Sequence, residues 1–309
     1  MPEGSFHDAE RVYGPLDEEV RECLINVQSV DPSVSEDGIY GLYELLVGGR
    51  VVGPITLAAV PYVADLVEEE VGDLSELLRL LGAIADSNDE VGIPEGSARA
   101  AVVNELPLLL HFLEHQAAEV RRQAVYAVAQ CRQPEGSIHA LLARWDTEQE
   151  DAVRADLLFA LALLDSERTI ALLTNANSHE ATPVRMAAHF IGIDLGLPWK
   201  AKSRDDMLAL LQVGERLDGS PWVDMYEGPL QALVERMWTQ GYADAAVDLL
   251  TRALVTDFGD HQIDLDIAIE SALNLDEDDD TGAGGSNART SMLIALQRRV
   301  DSSSATTTE

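Results

Sequence analysis

Apolar residues return at the spacing of one helix face in three successive stretches, Val120 to Cys131, Val153 to Leu164 and Val184 to Leu195. Each stretch opens on a Val-Arg pair, and the pairs are offset by 33 and then 31 residues. The first column holds Val120, Val153 and Val184, and four residues on stand Ala124, Leu157 and Ala188. Three further on come Ala127, Ala160 and Ile191, and the last column is Cys131, Leu164 and Leu195. Steps of four and three put these columns on one stripe of an α-helix. His189 and Gly192, both in the third copy, depart from the pattern.

Helix boundaries follow from local signals. Asp151 stands two residues before Val153 as an expected N-cap, and Thr182-Pro183 offers a capping hydroxyl before a proline at a first helical position. Between the Val-Arg helices lie second apolar runs, Ile138 to Trp145 and Ile170 to Leu173. A helix pair of this kind cannot bury its apolar face alone, so the copies predict an all-α fold, a solenoid of stacked helix pairs. Pro61 and Pro107 each lie inside an apolar helical run that they kink or begin. Asp73 with Glu76 resembles a capping box opening Leu74 to Ala85. Further helices are expected near 203–217, 227–240, 242–256 and 262–275, so that the solenoid occupies 1–275. An acidic, glycine-rich linker follows at 276–287, then a basic amphipathic helix at 288–301 carrying Met292, Leu293, Leu296 and Val300, and a disordered tail at 302–309.

Charge narrows the partners. The chain carries 55 acidic against 21 basic residues, a net charge of −34, and its only lysines are Lys200 and Lys202. Net charge is −16 over residues 1–100, −5 over 101–200 and −13 over 201–309. Such a field repels phosphate backbones, which argues against nucleic-acid binding through a basic face, and speeds encounter with a basic protein. Cys23 and Cys131 fit no metal or redox spacing and fall on apolar helical positions, as buried thiols do. The longest uncharged run, Val51 to Ala64, contains two prolines and is too short to span a bilayer. With no apolar signal core in the first fifteen residues, the expected location is the cytoplasm.

Candidate chemistry is sparse. His111-Phe112-Leu113-Glu114-His115 matches the H-x-x-E-H pattern of inverted zinc peptidases, in which two histidines one turn apart share a metal and the glutamate is the base. It has no identifiable third ligand and falls where a helix pair needs a polar turn. His179-Glu180 is a lone pair of the type that HEAT-type iron hydroxylases use in several copies. Asp276, Asp278 and Asp280 resemble a calcium loop, but Thr281 replaces the required glycine and Asn287 the required glutamate. Arg121, Arg154 and Arg185 form a ladder expected to pair with acids on adjacent repeats. Trp145, Trp199, Trp222 and Trp238 lie at helix ends, and an exposed one would anchor a partner. No catalytic, cofactor-binding or metal residue is therefore assigned, and no cofactor is expected.

Pro107-Leu108-Leu109-Leu110 followed by Glu119-Val120-Arg121 resembles the HEAT-repeat pattern of a proline-bearing first helix and a Val-Arg second helix. More narrowly, Val12-Tyr13-Gly14-Pro15, Leu42-Tyr43 with Leu45-Leu46, Ala58 to Val63, and Leu77 to Ala85 resemble a group of actinobacterial HEAT-repeat proteins, over roughly residues 7–200. Those proteins often carry a His-Gln-Gly segment before the Ala-Val-Pro helix, where this chain has Gly48-Gly49-Arg50-Val51-Val52-Gly53. The resemblance implies stacked HEAT-like pairs and protein binding. The expected function is a non-enzymatic binding module, an immunity-type inhibitor or a scaffold for a basic protein. The alternative is a metal-dependent hydrolase using His111, Glu114 and His115.

Overall fold

A computed structural model describes residues 16–213, 217, 219–223, 228–256, 265–278 and 289–298. The Val12 to Pro15 motif, most of the 276–287 linker and the tail lie outside them. The chain divides into two compact units, Met1–Asp165 and Ser166–Glu309.

The first unit contains α1 (Glu18–Val27), α2 (Pro32–Val47), α3 (Pro54–Glu68), α4 (Leu74–Asp86), α5 (Ser97–Asn104), α6 (Leu106–His111), α7 (Ala118–Gln130), α8 (Pro134–Thr147) and α9 (Asp151–Leu164). Helices α2, α4, α7 and α9 pack against one another in series. Their partners α1, α3, α5 with α6, and α8 form a second layer, so the all-α solenoid of HEAT-like pairs is what the sequence predicted. Helix α7 is buried from Val120 to Gln130 on every side, because α4, α6 and α9 surround it. Gly82 on α4 is what lets α7 approach: a Cβ there would run into the Tyr126 ring and meet Ala127 Cα at 3.2 Å.

The second unit contains α10 (Ser166–Ala176), α11 (Thr182–Asp194), α12 (Ala201–Val213), α13 (Pro229–Thr239), α14 (Ala243–Val255) and α15 (Leu265–Asp278). Here α11, α13 and α15 are stacked in series, with α12 beside α14 in the other layer. A last helix, α16 (289–298), buries Leu293 and Leu296. Its Arg289 lies 3.6 Å from Asp244 and 6.0 Å from the Trp238 ring centroid, so the basic segment docks back on its own unit. No helix among the described residues is long and apolar enough to cross a membrane.

Several local expectations change. Helix α3 runs through Pro61 and begins at Pro54, while Pro107 sits in the first turn of α6. Asp73 caps α4 by accepting from the Ser75 and Glu76 amides at 3.0 and 3.2 Å, but the Glu76 carboxylate accepts from Tyr43 Oη at 3.2 Å instead of closing a box. Cys131 is buried and its thiol is pushed up to about 12 by desolvation, whereas Cys23 is half-buried. The sequence signalled no strand, yet Val51–Val52 and Asp89–Glu90 form a short parallel pair joining the loops after α2 and α4.

Candidate functional site

The H-x-x-E-H segment does not lie on one α-helix. Helix α6 ends at His111, Phe112–Glu114 is a 3₁₀ turn, and His115 is already extended. A cleft of about 540 Å³ opens there, lined by Glu70, His111, Glu114 and His115 among others. The groups a hydrolase needs are engaged otherwise: Glu114 accepts from Arg144 Nη1 at 2.9 Å, and His115 Nδ1 accepts from the Ala117 amide at 3.1 Å. Among the described residues no group of three or more His, Cys, Asp or Glu side chains is placed to hold a metal ion.

His115 belongs to a pattern. His179 Nδ1 accepts from the Ala181 amide at 3.1 Å, and Glu148 Oε1 accepts from the Glu150 amide at 3.0 Å. All three stand five residues before the Val of a Val-Arg pair, and each satisfies an amide at the start of the helix that follows. The N-cap positions are Ala117, Glu150 and Ala181, and the residue two before each, His115, Glu148 or His179, accepts from its amide. Asp151 and Thr182 prove to be the first residues of α9 and α11. The lone His179-Glu180 pair is thus part of a turn.

Two rungs of the arginine ladder, Arg121 and Arg154, close the same turns. Arg121 Nε and Nη2 donate to the two Glu148 oxygens at 2.9 Å each, and its Nη1 donates to the carbonyls of His115 and Gln116 at 2.9 and 2.8 Å. Arg154 Nε donates to the Glu148 carbonyl at 2.9 Å, and Arg185 lies 3.6 Å from Asp206. Burial alone would raise the Glu148 carboxyl, whose side chain is 1% exposed; hydrogen bonds from Arg121, the Glu150 amide and Arg144 outweigh it and hold the group down at about 2. Arg122 likewise donates to the fully buried Asp156 at 2.7 Å. These pairs are internal structure, as the sequence reading favoured.

An exposed acidic face remains. Between residues 16 and 47, Asp17, Glu18, Glu19, Glu22, Asp31, Glu36, Asp37 and Glu44 are all exposed, and Arg21 is the only basic residue. On α2 the exposed positions include Glu36, Asp37, Tyr40 and Glu44, spaced as one helix face. Tyr40 is 67% exposed, so it offers a large amphipathic ring among carboxylates. The end of α2 borders a cleft of about 330 Å³ lined by Val47, Arg50, Asp86, Asp89 and Tyr126. Arg50 lies within the unusual Gly48 to Gly53 segment and adopts φ +63°, a strained conformation for a side-chain-bearing residue. Desolvation raises the Asp86 carboxyl despite the opposing pull of Arg50, Arg132 and Arg99.

None of the four tryptophans is exposed: Trp238 is buried and Trp145, Trp199 and Trp222 are half-buried. Among the described residues the exposed aromatic is Tyr40, which sequence reasoning missed. Its only signal was a tyrosine three and four residues from acids on a predicted helix.

No family model matches the sequence, and no curated protein matches it. Among solved structures, the chain is similar to one from the complex of CpcE and CpcF of phycocyanin lyase from a Nostoc species. The TM-score is 0.52 at 17% identity, covering 92% of this chain and 96% of that one. The likeness is one of fold, a HEAT-like helical solenoid.

Proposed function

We propose that this chain is a non-enzymatic protein-binding module whose partner presents a basic surface to α1 and α2. The observation that carries the reading is the eight exposed carboxylates between residues 16 and 47, three of them on the helix face of exposed Tyr40, against one arginine. A rigid aromatic anchor inside a field of one sign is the composition of a hot spot with electrostatic steering. Asp89, exposed at the cleft beyond Val47, adds a carboxylate at which a partner's arginine or lysine can end. The solved neighbour is described as a complex of two chains, which agrees with a binding role for a fold of this kind. In its narrower form the module is an immunity-type inhibitor, its acidic face covering a basic functional surface; a scaffold holds the same partner without silencing it.

The test uses the full chain as bait in native lysate at low salt and at about 0.5 M, where the Debye length falls to about 4 Å. Wild type is expected to retain a near-stoichiometric basic protein at low salt and to lose most of it at high salt. The E36Q/D37N/E44Q variant should slow association with that protein about tenfold, and Tyr40→Ala should speed its release. An empty bait in both conditions, or a captured protein indifferent to salt and to both variants, rejects the reading. Inhibition of the captured protein's own activity separates inhibitor from scaffold.

A further inference from the structure

His189 and Gly192, the two departures from the repeat, have a common consequence. In the first two copies their positions are held by Val125 and Leu158, and by Val128 and Leu161, all buried aliphatics. In α11 the exchange to His and Gly leaves one wall of a cleft of about 310 Å³ within the second unit. A Cβ on Gly192 would meet nothing within 4 Å, so no neighbour explains the glycine by close packing. Leu173, Ala188, Pro198 and Trp199 supply apolar walls, and the loop behind them is fixed by Tyr242 Oη, which donates to the Leu197 carbonyl at 3.0 Å. The volume lies at the small end of the range for small-molecule sites, roughly 300–1,000 Å³.

The charge of this cleft runs against the rest of the chain. Both lysines of the protein, Lys200 and Lys202, line it, and neither has an ion-pair partner among the described residues. The one carboxylate in the lining, Asp206, is turned to other work: it is hydrogen-bonded to His189 Nε2 at 2.8 Å and lies 3.6 Å from Arg185 Nη1. Lys202 and Ser203 belong to the first turn of α12, whose amides have no acceptor within the helix and favour negative charge. His189 is held edge-on to Trp199, with ring centroids 5.9 Å apart. A chain of net charge −34 thus places its lysines, a helix start and an aromatic ring around one small cleft.

We propose that this cleft binds a small organic oxyanion, a carboxylate or phosphate carried on a flat apolar body. The apolar part lies against Trp199, Pro198 and the space opened by Gly192, and the anion meets Lys200, Lys202 and the first turn of α12. The site is independent of the acidic face on α1 and α2.

The test is an amide and indole NMR titration of the full labelled chain with 2-naphthoate, 1-naphthyl phosphate and the neutral 2-naphthylmethanol. At least one anion should shift the Gly192 and Ser203 amides and the Trp199 indole, with the neutral compound at least tenfold weaker. The stronger of the two anions assigns carboxylate or phosphate. The K200Q/K202Q variant should weaken the anion at least tenfold. Gly192→Leu, which restores the residue of the second copy, should abolish binding while the remaining amide spectrum stays folded. Equal binding of the neutral compound, no shift at these residues with either anion up to several millimolar, or undiminished binding to a folded Gly192→Leu chain overturns the proposal. None of these outcomes touches the reading of the acidic face.

Discussion

Helices α7 and α11 carry the same repeat columns, Val120 against Val184 and Ala124 against Ala188, yet they use their polar residues differently. On α7, Arg121 makes four hydrogen bonds, two of them to a carboxylate that is 1% exposed, and Val125 and Val128 are fully buried. On α11 the equivalent arginine, Arg185, reaches Asp206 only at 3.6 Å, its buried Nε has no hydrogen-bond partner among the described residues, and the two valine positions have become His189 and Gly192. A repeat that keeps every column turns its charges inward and becomes structure. A repeat that keeps its columns but exchanges two further buried aliphatics for His and Gly leaves space, which is where a ligand can be accommodated.

The largest test of that contrast removes the acid from each pair. Glu148→Ala leaves Arg121 buried without its counter-charge and should destabilise by about 3–5 kcal/mol, the usual effect of breaking a buried pair. Asp206→Ala removes a 28% exposed partner that lies 3.6 Å from its arginine and is hydrogen-bonded to His189 at 2.8 Å, and should lose about 1–2 kcal/mol, less than Glu148→Ala. Chemical denaturation of both variants measures the difference, and equal losses would break the comparison. The same pair sets an acid limit. Glu148 is held at about 2 against an ordinary 4.5. The folded state therefore binds this proton more weakly than the unfolded state. The contribution is complete above about pH 4.5 and is lost as pH falls from there toward about 2. Protection factors across α7, taken relative to the intrinsic exchange rate at each pH, should fall in that window in wild type, and Glu148→Gln should flatten the change.

Gly82→Ala sharpens the contrast from the packing side. The added methyl would run into the Tyr126 ring and press on the α7 backbone at Ala127. Overpacking of this kind costs about 1–3 kcal/mol, outweighing the helix-propensity gain of roughly 1 kcal/mol. The expected result is a lower denaturation midpoint, with α4 and α7 exchanging faster. An unchanged or raised midpoint would show that the contact between these helices yields easily.

How much of this was legible follows from which signals are local. The Val-Arg columns were, because aliphatic periodicity is written along the chain and every copy states it again. The caps were not: a local rule picks the nearest polar side chain, Asp151 or Thr182, whereas the working residues His115, Glu148 and His179 differ in type and share only their position in the repeat. Aligning the copies five residues further upstream would have found them. The strand pair at Val51–Val52 and Asp89–Glu90 is too short to have a period. The acidity of the amino-terminal third was visible, but Tyr40 was not, since exposure depends on which face of α2 packs. Trp199 was flagged and Tyr40 was not for a related reason: residue type is read from sequence, burial only from the partner surface. His189 and Gly192 were visible as breaks in a pattern, and the structure shows what the breaks make.

The smallest expected effect decides what Gly192 is for. Glycine inside a helix is less stable than alanine by roughly 0.5–1 kcal/mol, through backbone entropy alone. At Gly192 the methyl would enter open space, so Gly192→Ala should raise stability by about that amount, the opposite sign from Gly82→Ala. Paired denaturation curves of the two variants supply the measurement. If Gly192→Ala is destabilising, the residue has a packing role that the open space around it does not reveal, and the contrast between α7 and α11 fails. If it stabilises, the native chain carries a glycine that folding does not need, and the cleft it opens is the remaining physical account of it.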